Sequence, residues 1–125
     1  MTNINAKDSL LTHINVFRVA VQHQRHLVDI LAHCTEYSVR SIPGFVSASL
    51  HQSLDGTSVT LYSKWHKEQL RQTSESELLA CFAAALDIAT LETTVSESVK
   101  HFEPLWPGLQ VLSDPLRQLS GRRLN

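Results

Sequence analysis

An α+β fold with the element order β-α-β-β-α-β is predicted by three features of this 125-residue chain. Two apolar stripes recur at three- and four-residue steps, the period of a helix with one buried face. The first is Leu27, Ile30, Leu31, Cys34 and Tyr37; the second is Leu78, Leu79, Phe82, Leu86 and Ala89. Between them, two short runs flank Asp55-Gly56, the strongest short-range hairpin signal in the chain. Finally, a strand-like run precedes the first helix and another follows the second. This order is the split βαβ, ferredoxin-like arrangement, an antiparallel sheet with helices on one face.

Each element has a local cause. Residues 1–10 are polar and are expected to form a flexible N-terminus. "THINVFRVAV", from Thr12 to Val21, is rich in β-branched and aromatic residues and short enough for a strand. "QHQRHLVDILAHCTEYSVRSI" carries the first helical stripe, and Ile42-Pro43-Gly44 ends it because the residue before proline avoids the α region. "FVSASLHQSL" alternates, with Phe45, Ser47, Ser49 and His51 on one face and Val46, Ala48, Leu50 and Gln52 on the other. Asp55-Gly56 predicts a two-residue type I′ turn with positive φ at Gly56. "TSVTLYSKW" returns, presenting Val59, Leu61, Ser63 and Trp65 on one face and Ser58, Thr60, Tyr62 and Lys64 on the other. "HKEQLRQT" reads as a short helix or bend. "SESELLACFAAALDIATL" is the second helix, opened by a capping box of Ser74 and Glu77. "TTVSESVKHFEPLW" is the fourth strand, stopped by Pro104 and Pro107, with Trp106 as a plug at the sheet edge. One domain is expected over 11–112, closing with an edge segment at "LQVL", and 113–125 form a C-terminal tail.

Composition narrows the function classes. The formal net charge is -1, and no basic stripe dominates any segment, so nucleic acid is not an expected partner. The basic cluster Arg117, Arg122 and Arg123 reads as a solvated terminal arm. Cys34 and Cys81 lack the spacing of a metal or redox motif and fall in apolar helical stripes, which reads as two reduced core thiols in a cytoplasmic protein. The start has no positively charged segment leading into an apolar run, so no signal peptide is expected. No apolar stretch approaches the ~20 residues that span a bilayer, so no membrane association is expected.

Both hairpin arms carry apolar groups on both faces. An antiparallel sheet that faces water shows a cleaner alternation. The sheet's second face therefore calls for a cover, and a second subunit's sheet supplies it, giving a homodimer.

The stretch "IPGFVSASLHQSLDGTSVTLYSKW" resembles the antibiotic biosynthesis monooxygenase superfamily, small dimeric α+β barrels. The family hairpin reads PGF, a few small residues, H, then S-x-DG and a strand ending N-Y-x-x-W. Here the matching residues are Pro43-Gly44-Phe45, His51, Ser53, Asp55-Gly56, Tyr62 and Trp65. The resemblance implies a pocket between sheet and helices, with no cofactor and no metal. The substrate would be an electron-rich aromatic, anthrone- or quinol-like, that loses a proton and reacts as its anion with O2. The protein binds the rings, assists deprotonation and shields the intermediate from water. One position departs from the pattern. Where the family has asparagine, this chain has Leu61, and leucine cannot donate a hydrogen bond. The haem-degrading branch of the family also needs a histidine on the helix after the strand, and "KEQLRQTSESELLACF" contains none.

Two functions from different classes follow. One is a cofactor-independent monooxygenase, with Trp65 as ring platform and Asn15 and His51 as catalytic polar groups. In it Leu61, Trp65, Phe82 and Leu86 line the substrate site, with Leu61 setting its polarity. The other, favoured by Leu61, is a non-catalytic small-molecule-binding or structural dimer of the same fold. Tyr62 lies opposite Trp65 and is assigned to the subunit interface.

Overall fold

The computed structural model describes residues 10–68 and 75–106. The elements run β1 (Leu10–Val19), α1 (Gln24–Tyr37), β2 (Phe45–Gln52), β3 (Ser58–His66), α2 (Glu75–Cys81), α3 (Ala83–Leu86) and β4 (Ala89–Ser96). Short 3-10 turns, Val21–His23 and Val39–Ser41, bracket α1. The strands form one antiparallel sheet in the order β2-β3-β1-β4. This is the ferredoxin-like α+β fold.

The core lies between the helices and one sheet face. Phe17 from β1 and Val59, Leu61 and Trp65 from β3 meet Leu27 and Leu31 of α1, Leu78 of α2, and Phe82 and Ala85 around α3. Alternation on the strands and three- and four-residue steps on α1 bring these side chains together. Each large side chain fully buried here contributes about 1.5–3 kcal/mol relative to exposure. Phe17 and Phe82 meet edge to face, with ring centroids 5.2 Å apart.

Three local expectations are corrected. The second helix is interrupted at Phe82, whose φ of -99° and ψ of 11° leave the helical region, so α2 and α3 are separate pieces. The fourth strand begins at Ala89 rather than at residue 93 and stops at Ser96. Its Ala89 already pairs with Val19, so the strand starts as soon as α3 ends. Beyond Ser96 no regular structure continues to Trp106, which is exposed rather than a plug at the sheet edge. The cap at Ser74, most of "HKEQLRQT", residues 1–9 and the tail from 107 lie outside the described residues.

The hairpin is also built differently. Gly56 does have positive φ, 82°, but no other residue of the loop does, which excludes a type I′ turn. Instead the Ser53 carbonyl accepts the Gly56 N–H at 3.2 Å, which places Leu54 and Asp55 at the centre of the turn. Ser53 and Asp55 hold it. The Ser53 hydroxyl donates to Asp55 Oδ1 at 2.7 Å and accepts the N–H groups of Thr57 and Ser58 at 3.1 and 3.0 Å. Asp55 Oδ1 also accepts from the Thr57 N–H at 3.1 Å and the Thr57 hydroxyl at 2.7 Å. From α1, Gln24 Nε2 donates to the Ser53 and Ser58 carbonyls at 3.0 and 2.9 Å and ties the hairpin tip to the helix. The S-x-DG segment is therefore accounted for by backbone architecture.

A second glycine works at the other end of β2. The Ile42 carbonyl accepts the Phe45 N–H at 3.1 Å across Pro43-Gly44, and Gly44 has φ of 95°. Proline followed by a positive-φ glycine is the type II turn signature.

Candidate functional site

Three strands present a band of polar side chains to the helix side of the sheet. His13, Asn15 and Phe17 share one face of β1, and Ser63 sits between Leu61 and Trp65 on the matching face of β3. Asn15 stands opposite Leu61 of β3 on one side and Thr93 of β4 on the other. His13 stands opposite Ser63 and Val95 in the same way. Direct cross-strand partners bring their Cβ atoms to about 4.5–5.5 Å.

Burial changes steeply across this band. On β3, Trp65 is 0% and Leu61 1% exposed. On β1, Asn15 is 3% and His13 8% exposed. On β4, Thr93 and Val95 are open to solvent. The helices thus cover the β3 side and leave the β4 side open, and the buried polar pair of β1 lies along the boundary.

The polar groups within the band are engaged. Trp65 Nε1 donates to Ser63 Oγ at 2.9 Å, two residues back on the same face. The Thr93 hydroxyl donates to Asn15 Oδ1 at 2.8 Å. That bond occupies the Asn15 carbonyl and turns the amide NH2 into the group's donor end. Around Trp65, the Phe45 ring meets it edge-on at 5.5 Å and the His13 ring lies tilted at 6.0 Å.

Of the residues singled out from the sequence, the structure brings together Asn15, Leu61, Trp65 and Phe82 on this face. It places two elsewhere. His51 points from the opposite face of the sheet, exposed, with Nε2 2.6 Å from Ser49 Oγ and its ring 4.9 Å from Tyr62. Leu86 is 39% exposed and lines a shallow groove with Val19, Asp87 and Thr90. On α3 it is Ala85, three residues after the buried Phe82, that packs inward in place of Leu86.

Phe45 also changes face. The register shifts between Phe45 and Ser47, a β-bulge at Val46. Past a bulge the alternation slips by one residue. Phe45 therefore pairs with Trp65, on the same side as Leu50, while Ser47, Ser49 and His51 share the other side.

Sequence reasoning missed His13, Ser63 and Thr93. For the first two a signal was present. Once Phe17 and Trp65 are taken as inward, a period of two carries His13 and Ser63 inward with them. For Thr93 there was none, because the expected strand began at that residue.

A four-stranded sheet in the order β2-β3-β1-β4, covered by helices over a tryptophan near the end of its third strand, defines a small ferredoxin-like α+β domain. The chain belongs to the antibiotic biosynthesis monooxygenase family, whose model matches residues 10–76, more than half of its length. It is 46% identical over 68 residues to the tetracenomycin-F1 monooxygenase of Streptomyces glaucescens, a match spanning 54% of this chain and 61% of that protein. The matched stretch is thus less than two thirds of that relative. Among solved structures, the ActVA-Orf6 monooxygenase of Streptomyces coelicolor, in complex with nanaomycin D, superposes with a TM-score of 0.66 at 22% identity. That match covers 81% of this chain and 97% of the other. A variant of SnoaB, a cofactor-independent oxygenase from Streptomyces nogalater, superposes with a TM-score of 0.62 at 19% identity, over 77% and 99% of the two chains. At these identities the structural matches carry the fold.

Proposed function

We propose that this protein is a cofactor-independent monooxygenase that oxidises an aromatic, anthrone- or quinol-like small molecule with O2. The observation that carries the reading is the 46% identity to tetracenomycin-F1 monooxygenase, together with a buried amide, Asn15, directly opposite the leucine that replaces the family asparagine. The ligand approaches from the open β4 side, over Thr93 and Val95. Its oxygen meets the Asn15 NH2, and Leu61, Trp65 and Phe82 form the apolar wall behind.

The chemistry balances without a further reductant. An anthrone-type CH2 loses a proton, and the resulting anion supplies electrons to O2 as the C–O bond forms. The hydroperoxide then loses water to leave a carbonyl. The protein's part is to favour the anion, through a donor at its oxygen, and to keep bulk water away.

A specific observation favours a second reading, a non-catalytic small-molecule-binding or structural dimer. Leu61 and Trp65 are fully packed within the core. Oxygen-electrode assays against a panel of anthrones and quinols separate the two. Turnover above the spontaneous rate, lost on Asn15→Leu, supports the monooxygenase. Binding without oxygen uptake supports the second.

The homodimer belongs to the same proposal. The sheet face away from the helices carries Ile14, Val16 and Tyr62 with no element of the described chain packed over it. A second copy of that face is the proposed cover, and a stable monomer in sedimentation at micromolar concentration would remove it. A cytoplasmic location is part of the reading too; no helix among the described residues is long and apolar enough to cross a membrane.

A further inference from the structure

We propose that His13 is the group that takes the substrate's proton, with Asn15 holding the oxygen of the anion that remains; this rests on the monooxygenase reading above. His51, the histidine within the family-like hairpin motif, stands on the far side of the sheet and cannot serve the Trp65 side. His13 stands two residues before Asn15 on the same face, 8% exposed, its ring 6.0 Å from that of Trp65.

The placement suits proton transfer. His13 and Asn15 form adjacent inward positions of one strand, about 7 Å apart along it. A flat ring lying over Thr93 and Val95 spans that distance, with one edge at the imidazole and an oxygen at the amide. On the sheet itself His13 is flanked by Leu11 and Asn15 on β1, Ser63 and Trp65 on β3, and Thr93 and Val95 on β4. The helix piece α2, packed into the core through Leu78, carries Glu75, Glu77 and Cys81 as titratable groups. In the step itself, the substrate's acidic O–H or C–H bond breaks. The proton passes to an imidazole nitrogen, and the electron pair stays on the substrate as the delocalised anion. The imidazolium and anion are then an ion pair in a partly desolvated site, where their attraction exceeds its value in water.

The test uses alizarin, a dihydroxyanthraquinone whose absorbance reports its ionisation and which needs no oxygen chemistry. Binding is followed by quenching of tryptophan fluorescence, and the ionisation midpoint of the bound dye is read from the visible spectrum. The wild-type protein is expected to bind the dye and lower its midpoint. His13→Gln and His13→Asn, checked for folding by circular dichroism, are expected to bind it and lose the shift. With an oxidisable anthrone, kcat is expected to fall ~100-fold or more, in the range for loss of a general base. Equal midpoints and equal kcat in wild type and either folded variant would overturn the proposal, as would a wild type that does not bind the dye. A His13-dependent shift with no oxygen uptake from any anthrone would overturn the monooxygenase reading and leave His13 as the ligand-ionising group.

Discussion

Asn15 on β1 stands directly opposite Leu61 on β3, both on the helix side of the sheet. In the proposed site, the polar group that the hairpin strand lacks comes from one strand over, about 5 Å away. Two substitutions should separate the two positions. Leu61→Asn places an amide in the apolar core and should cost about 2–4 kcal/mol of stability, measured by urea denaturation. Asn15→Leu should leave stability within about 1–2 kcal/mol of wild type, because the Thr93 hydroxyl is exposed and regains water, while oxygen uptake disappears. Full activity in the folded Asn15→Leu protein would refute the role of the amide.

Gly56 should tolerate no side chain. Its φ is 82°, and a Cβ built there would stand 3.2 Å from Val21 Cγ1. Gly56→Val combines backbone strain with that contact and should lower stability by about 1–3 kcal/mol. An unchanged melting temperature would mean the loop rearranges at no cost.

Asp55 should make the protein acid-sensitive in a defined window. The Ser53 hydroxyl, then the hydroxyl and N–H of Thr57, hold the Asp55 carboxyl below its ordinary value. The folded form thus binds the proton less readily than the unfolded form. The resulting stabilisation is fully present above the ordinary carboxylate range, about pH 4, and is lost as pH falls through the depressed value. Asp55→Asn should lose stability at pH 7 and show a smaller further loss between pH 4 and pH 2. Parallel melting-temperature profiles for the two proteins would contradict this.

Cys34 and Cys81 should react slowly with thiol reagents. Burial pushes the Cys34 thiol up; the adjacent Thr35 side chain opposes this, and nearby Cys81 adds to it. Burial, then Glu77, raises Cys81. Since the thiolate is the nucleophile, labelling by an aromatic disulfide at pH 7.5 should run well below the rate of free cysteine in the folded protein and at that rate in urea. Labelling at the free rate without urea would show the thiols to be open.

The order of strands and helices was readable because its signals are local. A helical stripe needs only the 3.6-residue period, and the hairpin needs only two alternating arms around Asp-Gly. The family likeness was readable for the same reason, since its residues lie within one continuous stretch, 43–65. Less readable were the details that depend on competition between neighbours. Asp55-Gly56 marks a turn in either form, but the Ser53 and Asp55 side chains, with Gln24 reaching across from α1, select the longer loop.

What the sequence determined by itself, then, is the α+β order, the hairpin and the family, each written in residues close along the chain. What only the tertiary structure decided is which side chains share a face. The bulge at Val46 moves Phe45 onto Trp65, and His51 ends on the far side of the sheet. The central place of β1, between β3 and β4, sets Asn15 beside Leu61 and Thr93, and His13 beside Ser63. The physical reason is that a strand's period of two makes facing depend on every residue of register. Register is settled by pairing between segments about 50 and 80 residues apart, in which no local preference takes part.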